Sequence, residues 1–100
     1  MIVYNVTVKI ELDAHDEWLT WMKDAHIPDV MKTGLFETNT MYKVLVDDQD
    51  GITYSIQYSC ADLQSLDTYF KEHAPALQQE HTTRYQNKFV AFRTLLESVD

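Results

Sequence analysis

One histidine of the sequence stands where an imidazole could bind a ligand or transfer a proton. His26 shares a helical stripe with Trp18, Trp21 and Met22, and it lies two residues before Pro28. Because the pKa of a free imidazole is close to neutral pH, a histidine in a pocket can act as a base or bind a ligand. A proline interrupts the backbone hydrogen bonds of a helix, so His26 could instead cap the groups left free there. Of these two roles, the sequence favours the structural one.

A second histidine belongs to a similar stripe further along the chain. His81 follows Leu77 by four residues and precedes Tyr85 by four. That spacing places the three side chains on one face of a helix, which favours packing in the core or at an interface over catalysis. No pair of residues in the chain has a spacing that requires catalysis, so the sequence assigns no catalytic residue.

The acidic residues, cysteine and glycines do not form the known metal or nucleotide motifs. His15 lies among three carboxylates, but adjacent residues in the first turn of a helix point in different directions. The loop 47–51 lacks the later glutamate of a calcium loop, and Cys60 is the single cysteine. The two glycines, Gly34 and Gly51, are too far apart for a phosphate-binding loop. We therefore predict no metal site and no cofactor.

The composition is that of an acidic globular protein. The 100 residues are 45% hydrophobic and 24% charged, and 16 acidic residues against 8 basic ones give a net charge of −8. This charge disfavours binding to nucleic acid and to anionic membrane surfaces, which both require clustered Lys and Arg. No apolar run approaches the roughly 18 residues of a membrane span. The alternating start has no basic leader, so we expect no signal peptide and a cytoplasmic location.

Four stretches have the pattern of β-strands. Residues 2–12 and 52–60 alternate strictly between apolar and polar side chains, which is typical of strands with one buried face. Residues 35–46 alternate less cleanly, as an edge strand does, and residues 89–99 form the last strand. The acidic loop 47–51 ends in Asp-Gly and predicts a hairpin turn.

Two helices are predicted between these strands. The first covers residues 13–34, with Asp13 as its N-cap, Gly34 just past its end and a kink or break at Pro28, which should begin a second short helical piece. The second begins after Asp62, is interrupted by Pro75 and reaches residue 87. The order is therefore βαββαβ, and its simplest closure is the α+β ferredoxin-like fold: a four-stranded antiparallel sheet with both helices on one face. We expect a single domain over residues 1–100.

The sheet face opposite the helices should be polar but almost uncharged. Its central residues are Asn5, Thr7, Lys9, Thr53, Ser55 and Gln57. The predicted apolar additions are Met41 and Leu45 from the edge strand and Val90, Phe92 and Leu96 from the last strand. A sheet face left in water usually carries Lys and Glu. We therefore predict that this face pairs with a second copy of the chain, as in a two-fold homodimer.

Three blocks of the sequence resemble a family of short bacterial proteins of unknown function. They are MIVYNVTV at the start, HDEWLTWMKDAHIPDVMKTG over the first helix and RYQNKFVAFRTLLE at the end. The family resembles the dimeric α/β-barrel superfamily, in which two ferredoxin-like sheets pack face to face. Its members include cofactor-independent monooxygenases, haem-degrading enzymes and ligand-binding or regulatory domains. The resemblance thus implies an assembly but no reaction.

The comparison with haem-degrading members is incomplete. Those enzymes use an Asn on the first strand together with a Trp and a His in the second half of the chain. Asn5 matches the first of these residues, but both tryptophans, Trp18 and Trp21, lie on the first helix. The resemblance therefore gives little support to haem degradation.

Two functions remain open from the sequence. The favoured one is a homodimeric module that binds a small ligand or has a structural role. The alternative is a cofactor-independent monooxygenase-like enzyme that acts on a small aromatic or quinone-like substrate, with His26 or His81 moving a proton. For either function, the candidate pocket residues are His26, Trp18, Trp21, Tyr58, His81 and Asn5.

Overall fold

The computed structural model describes residues 1–99 and confirms the predicted order of elements. The strands are β1 (Ile2–Glu11), β2 (Thr38–Lys43), β3 (Gly51–Cys60) and β4 (Phe89–Glu97). The helices are α1 (Leu12–Trp21), α2 (Ile27–Lys32), α3 (Leu63–Glu72) and α4 (Ala74–Arg84), and a π turn, Met22–His26, joins α1 to α2. None of the helices in this part of the chain is long and apolar enough to cross a membrane.

The four strands form one antiparallel sheet in the order β2-β3-β1-β4. In the centre of the sheet, Val6 of β1 lies opposite Ile56 of β3 and opposite Arg93 of β4. The apolar face of the two central strands is buried, with Ile10 and Ile56 almost fully enclosed. This face belongs to the same core cluster as the buried residues of the helices. The ferredoxin-like prediction is therefore confirmed, including the placement of the helices on one face.

The prediction at Pro28 is confirmed in part. A second short helix, α2, begins at Ile27 with Pro28 in its first turn, but a π turn joins it to α1 without a break. The backbone N–H of Ile27 donates to the carbonyl of Met22, five residues earlier, and Ile27 itself has helical angles of φ −62° and ψ −44°. Pro28 then lies in the first turn of α2, where its missing N–H is not needed. The π turn contains one extra residue, which rotates the following residues by about 100°. Val30 consequently reaches the core, and Ala25 remains only half-buried.

The ends of the first helical segment agree only in part with the prediction. The helix begins at Leu12, and Asp13 does not cap it; instead its carboxylate lies 2.7 Å from the ammonium of Lys88. An ion pair to the segment before β4 has therefore taken the place of the expected cap. At the other end Gly34 has a φ of 77°, which confirms its predicted left-handed conformation.

The second helical segment is divided, as predicted. The Asp62 carboxylate accepts a hydrogen bond of 2.8 Å from the backbone N–H of Ser65, which confirms the predicted N-cap. The interruption falls at His73, with φ −124°, and Pro75 occupies the first turn of α4. The segment ends at Arg84, earlier than the predicted residue 87.

The edge strand β2 is shorter than predicted, and its pairing with β3 shows that Met41 was predicted on the wrong face of the sheet. Met41 pairs with Ile56, so its side chain lies on the face covered by the helices and not on the open face. Leu45 lies beyond the end of β2 and is 90% exposed. Tyr42, which pairs with Ser55, is the apolar residue that β2 adds to the open face.

Candidate functional site

A small cavity lies between the sheet and the helices. The space open to the centres of water molecules is about 40 Å³, whereas one water requires roughly 10–15 Å³ on this measure. Strands β1, β3 and β4 form its floor, and the π turn, α2, α3 and α4 form its roof. Its polar lining residues are Tyr4, His26, Tyr58, Tyr69, Gln78, His81 and Arg93, and the remainder of the wall is apolar. The cavity can therefore hold a few waters or part of a small ligand.

His26 enters this cavity from the π turn. Its Nδ1 atom is buried and has no hydrogen-bond partner in residues 1–99. The ring packs against Trp21, with centroids 4.9 Å apart, and against His81 at 5.7 Å. The predicted capping of free backbone groups by His26 is therefore wrong. The helix continues through Pro28, so it offers no open break for the ring to cap.

The surroundings of His26 keep its imidazole uncharged. Burial lowers the pKa of His26 to about 4, the nearby carboxylate of Asp29 raises it, and the positive charge of Arg93 lowers it further. At neutral pH the ring therefore carries one N–H and one lone pair. An uncharged imidazole with an unpaired nitrogen can donate to a ligand or accept from it, depending on its tautomer.

His81 has a different hydrogen-bonding state. Its Nε2 atom accepts a hydrogen bond of 2.9 Å from the indole N–H of Trp18, and the residue is 8% exposed. Because an indole can only donate, Nε2 must be unprotonated and the ring proton is held on Nδ1. Burial, followed by the charges of His26 and Arg93, lowers the pKa of His81 to about 4. Trp18 therefore fixes His81 as a neutral ring with an Nδ1–H donor.

Arg93 and Tyr4 form the polar end of the cavity. The Nε–H of Arg93 donates to the Tyr4 hydroxyl at 3.0 Å. Burial raises the pKa of Tyr4, although Arg93 acts in the opposite direction. Burial also raises the pKa values of Tyr58 and Tyr69. All three phenols are therefore neutral hydrogen-bond donors at physiological pH.

Four residues of the cavity, Arg93, Tyr4, Tyr69 and Gln78, were not predicted as site residues. A signal was present for Arg93, because it interrupts the apolar series Phe89, Ala91 and Leu95 on one face of the last strand. The opposite face, with Val90, Phe92 and Leu96, was predicted to point away from the helices, which places Arg93 on the side of the helices. The register of β4 with β1 agrees with that placement.

The structure brings together only some of the predicted pocket residues. His26, His81 and Tyr58 line the cavity. Trp18 is completely buried behind it, and Trp21 packs between His26 and Tyr85 outside the lining. Trp18 therefore supports the site through His81, and Trp21 supports it through His26.

Asn5 does not belong to this cavity. It lies on the open face of the sheet, where its carbonyl accepts from the hydroxyl of Ser55 at 2.6 Å and its amide donates to Thr7 at 3.1 Å. Because successive side chains of a strand point to opposite faces, Asn5 and Tyr4 cannot contribute to the same side of the sheet.

His15, near the start of α1, makes two side-chain hydrogen bonds outside the cavity. The Nε2 atom of His15 is 2.7 Å from the Tyr54 hydroxyl, and its Nδ1 atom is 2.8 Å from the Asp16 carboxylate. The contact with Tyr54 attaches α1 to β3, whereas Asp16 belongs to α1 itself. Within residues 1–99, no group of three or more His, Cys, Asp or Glu side chains is placed to hold a metal ion.

Comparison with family models identifies the chain over nearly its full length. Residues 1–99 match the model described as a domain of unknown function, DUF4286. The chain belongs to this family. The resemblance of its three sequence blocks to a family of unknown function is thereby confirmed. A search among curated proteins found no match to this DUF4286 chain.

Solved structures with the same fold have very different sequences. HapK from Hahella chejuensis has a TM-score of 0.74 at 9% identity, covering 99% of this chain and 93% of its own. SnoaB from Streptomyces nogalater, a cofactor-independent oxygenase, has a TM-score of 0.67 at 12% identity, with 99% and 94% covered. A dimeric ferredoxin-like protein from an uncultured marine organism has a TM-score of 0.69 at 9% identity, with 100% and 96% covered. At these identities the likeness establishes the ferredoxin-like fold of the DUF4286 chain.

Proposed function

We propose that this protein binds a small aromatic ligand in the cavity beneath its helices. The observation that carries the proposal is the buried Nδ1 atom of His26, which has no hydrogen-bond partner among the described residues. Leaving a buried polar atom unpaired costs about 1–3 kcal/mol. A ligand or a bound water that pairs with this nitrogen would recover that free energy.

The chemistry of the cavity supports a ligand with an aromatic body and one polar end. Aliphatic side chains of both central strands and the ring of Phe89 provide apolar contact, while His26, His81 and Arg93 provide polar groups. Small-ligand sites typically combine an apolar wall with a few polar groups. A complete aromatic ring needs more room than the present cavity offers. Leu77 and Gln78, which are only half-buried on α4, are the lining residues best placed to move outward.

A ligand screen on freshly purified protein tests this proposal. Native mass spectrometry with a panel of phenols, benzoates, benzamides and quinones should detect at least one complex. His26→Gln should weaken that complex about tenfold or more, since it removes the ring that faces the cavity. The thermal midpoint of the variant should stay close to that of the wild type, because Nδ1 has no partner to lose.

His73→Gln provides a matched control. His73 is also half-buried and packs against Tyr69, but it does not line the cavity. This variant should bind the panel as the wild type does. If His26→Gln and His73→Gln bind every hit with unchanged affinity, the ligands occupy another site and the proposal is wrong.

We also propose that the open face of the sheet forms a homodimer. Phe92 and Val90 of β4 are 63% and 67% exposed on this face, beside a hydrogen-bonded network of uncharged side chains. Lys9 is the one basic residue of the central strands there, and the carboxylate of Asp48 neutralises it at 2.7 Å. One protein of similar fold is described as a dimeric ferredoxin-like protein, which supports dimer formation by this fold.

Sedimentation velocity measures this assembly directly. The wild type should sediment as a dimer at micromolar concentration, and Phe92→Glu should sediment as a monomer because it would bury a charge in the interface. Leu95→Glu is the control, since Leu95 is similarly exposed on the same strand but has the opposite side-chain direction. A monomeric wild type, or a dimer that survives Phe92→Glu, would contradict the proposal.

A second candidate function is cofactor-independent oxidation of a phenolic substrate by dioxygen. The uncharged His26 beside an aromatic cavity favours it, and the reaction class is that of SnoaB. The low pKa of His26 argues against it as the principal function. Moving a proton from a phenol of ordinary pKa to a base of pKa about 4 costs roughly 8 kcal/mol. We therefore favour binding, and oxygen consumption with the ligands found in the screen distinguishes the two functions.

A further inference from the structure

No acidic side chain among residues 1–99 lines the cavity of this strongly acidic protein. The sequence contains 16 Asp and Glu residues and has a net charge of −8. Arg93, in contrast, belongs to the lining. Asp29 acts on His26 from outside the lining and is partly exposed to solvent. Among the described residues, the charged side chain that lines the cavity is therefore positive, in contrast to the charge of the whole protein.

The guanidinium of Arg93 has no acidic partner within residues 1–99. The ion pairs found within residues 1–99 involve other basic groups, including Arg84, which pairs with Glu17 at 3.1 Å. Arg93 instead donates through Nε to the Tyr4 hydroxyl. The two terminal NH₂ groups of Arg93 make no hydrogen bond to the described part of the chain. The Arg93 side chain is exposed to solvent. Its NH₂ groups have the planar geometry that suits a carboxylate or phenolate oxygen.

The other polar groups of the cavity reinforce this donor character. The Tyr4 oxygen already accepts from Arg93, so its hydroxyl proton is free to be donated. The hydrogen bond from Trp18 leaves His81 with Nδ1–H as its remaining polar group. Tyr58 and Tyr69 add neutral phenol donors. A set of donors around one positive charge is complementary to a negatively charged acceptor.

We propose that the ligand is a small aromatic acid bound as its anion, with its carboxylate or phenolate oxygen at Arg93 and Tyr4. This inference rests on the proposed ligand-binding function and names the ligand class for that site. The aromatic ring lies against the apolar wall, and the oxyanion remains near the exposed end of Arg93. Arg93 is thus the specificity-determining residue of the site.

Benzoate and benzamide test the inference, because they have nearly the same shape and differ in charge. Benzoate should bind the wild type about tenfold to a hundredfold more tightly, the range of one charge-assisted hydrogen-bond pair. Arg93→Gln should remove this preference and leave benzamide binding unchanged. Arg84→Gln, which alters an arginine outside the cavity, should retain the preference. Isothermal titration or NMR shifts of the cavity residues give the affinities.

4-Nitrophenol separates the two sources of an oxyanion, because its phenol and phenolate forms absorb at different wavelengths. A site for phenolates should increase the phenolate absorbance on binding in mildly acidic buffer, and Arg93→Gln should abolish the increase. A site for carboxylates should prefer benzoate to benzamide and leave this absorbance unchanged. Either result supports the inference.

Two results would overturn the inference. The first leaves the proposed binding function intact, and the second rejects that function as well. Equal affinity for benzoate and benzamide, or a preference that persists in Arg93→Gln, rejects the anionic ligand while the cavity remains a binding site. Absence of binding by benzoate, benzamide and 4-nitrophenol, together with no hits in the screen, rejects the proposed function and this inference with it.

Discussion

Trp18→Ala should reduce the free energy of unfolding by about 3–5 kcal/mol, the range for truncating a buried aromatic side chain. Trp18 has 0% of its surface exposed and packs against Tyr54, with ring centroids 5.3 Å apart. Its removal would leave a cavity in the core and would also deprive His81 Nε2 of its donor. For a domain with a total stability of about 5–15 kcal/mol, such a loss is a large fraction of the whole.

Urea denaturation of matched variants measures this effect. Trp18→Phe should lose less than Trp18→Ala because it retains most of the ring, although it lacks the indole N–H. Trp21→Ala should also lose less, since Trp21 is only half-buried between His26 and Tyr85. A loss below about 1 kcal/mol for Trp18→Ala, far under the range for buried aromatic residues, would contradict the complete burial of Trp18 in the core.

Acidification from neutral pH to about pH 5 should destabilise the protein by about 2 kcal/mol for each of His26 and His81. Burial lowers both pKa values from an ordinary value of 6.5 to about 4. Between these values the unfolded chain binds more protons than the folded protein, so stability rises with pH. The contribution of the neutral histidines is complete above about pH 6.5 and decreases as the pH falls toward about 4.

Urea midpoints measured across this range test the prediction. His26→Gln should remove about half of the pH dependence, because one of the two buried titrating groups is then absent. The effects of carboxylates act at lower pH: the hydrogen bonds from Ser65 lower the pKa of the exposed Asp62 carboxyl, so that its contribution is lost only in stronger acid. A stability that is constant between about pH 7 and 5 would show that the two imidazoles are hydrated.

The elements of the fold could be predicted because their signals are local. Strict alternation identified β1 and β3, and it also showed correctly which of their faces is buried. Asp62 and Gly34 identified helix ends because a cap and a left-handed residue depend on only a few neighbouring residues. The order of these elements then left few ways to close a sheet, and the ferredoxin-like arrangement was the simplest of them.

Positions that depend on contacts between elements were predicted less well. Met41 was assigned to the wrong face because an edge strand with weak alternation has no register of its own until it pairs with β3. Asp13 was assigned as a cap, but Lys88, 75 residues away, is its partner. In both cases the side chain meets a distant part of the chain, which the local sequence pattern does not show.

The sequence by itself determined the strands, the helices, the acidic surface and the presence of His26 on an apolar stripe, because each follows from the order of neighbouring residues. The tertiary structure alone decided the site. It replaced the expected break at Pro28 by a π turn, joined Trp18 to His81 across 63 residues, and joined Arg93 to Tyr4 at the polar end of the cavity. The physical reason is that a cavity and its hydrogen bonds arise where separate elements pack together, and no single segment contains that information.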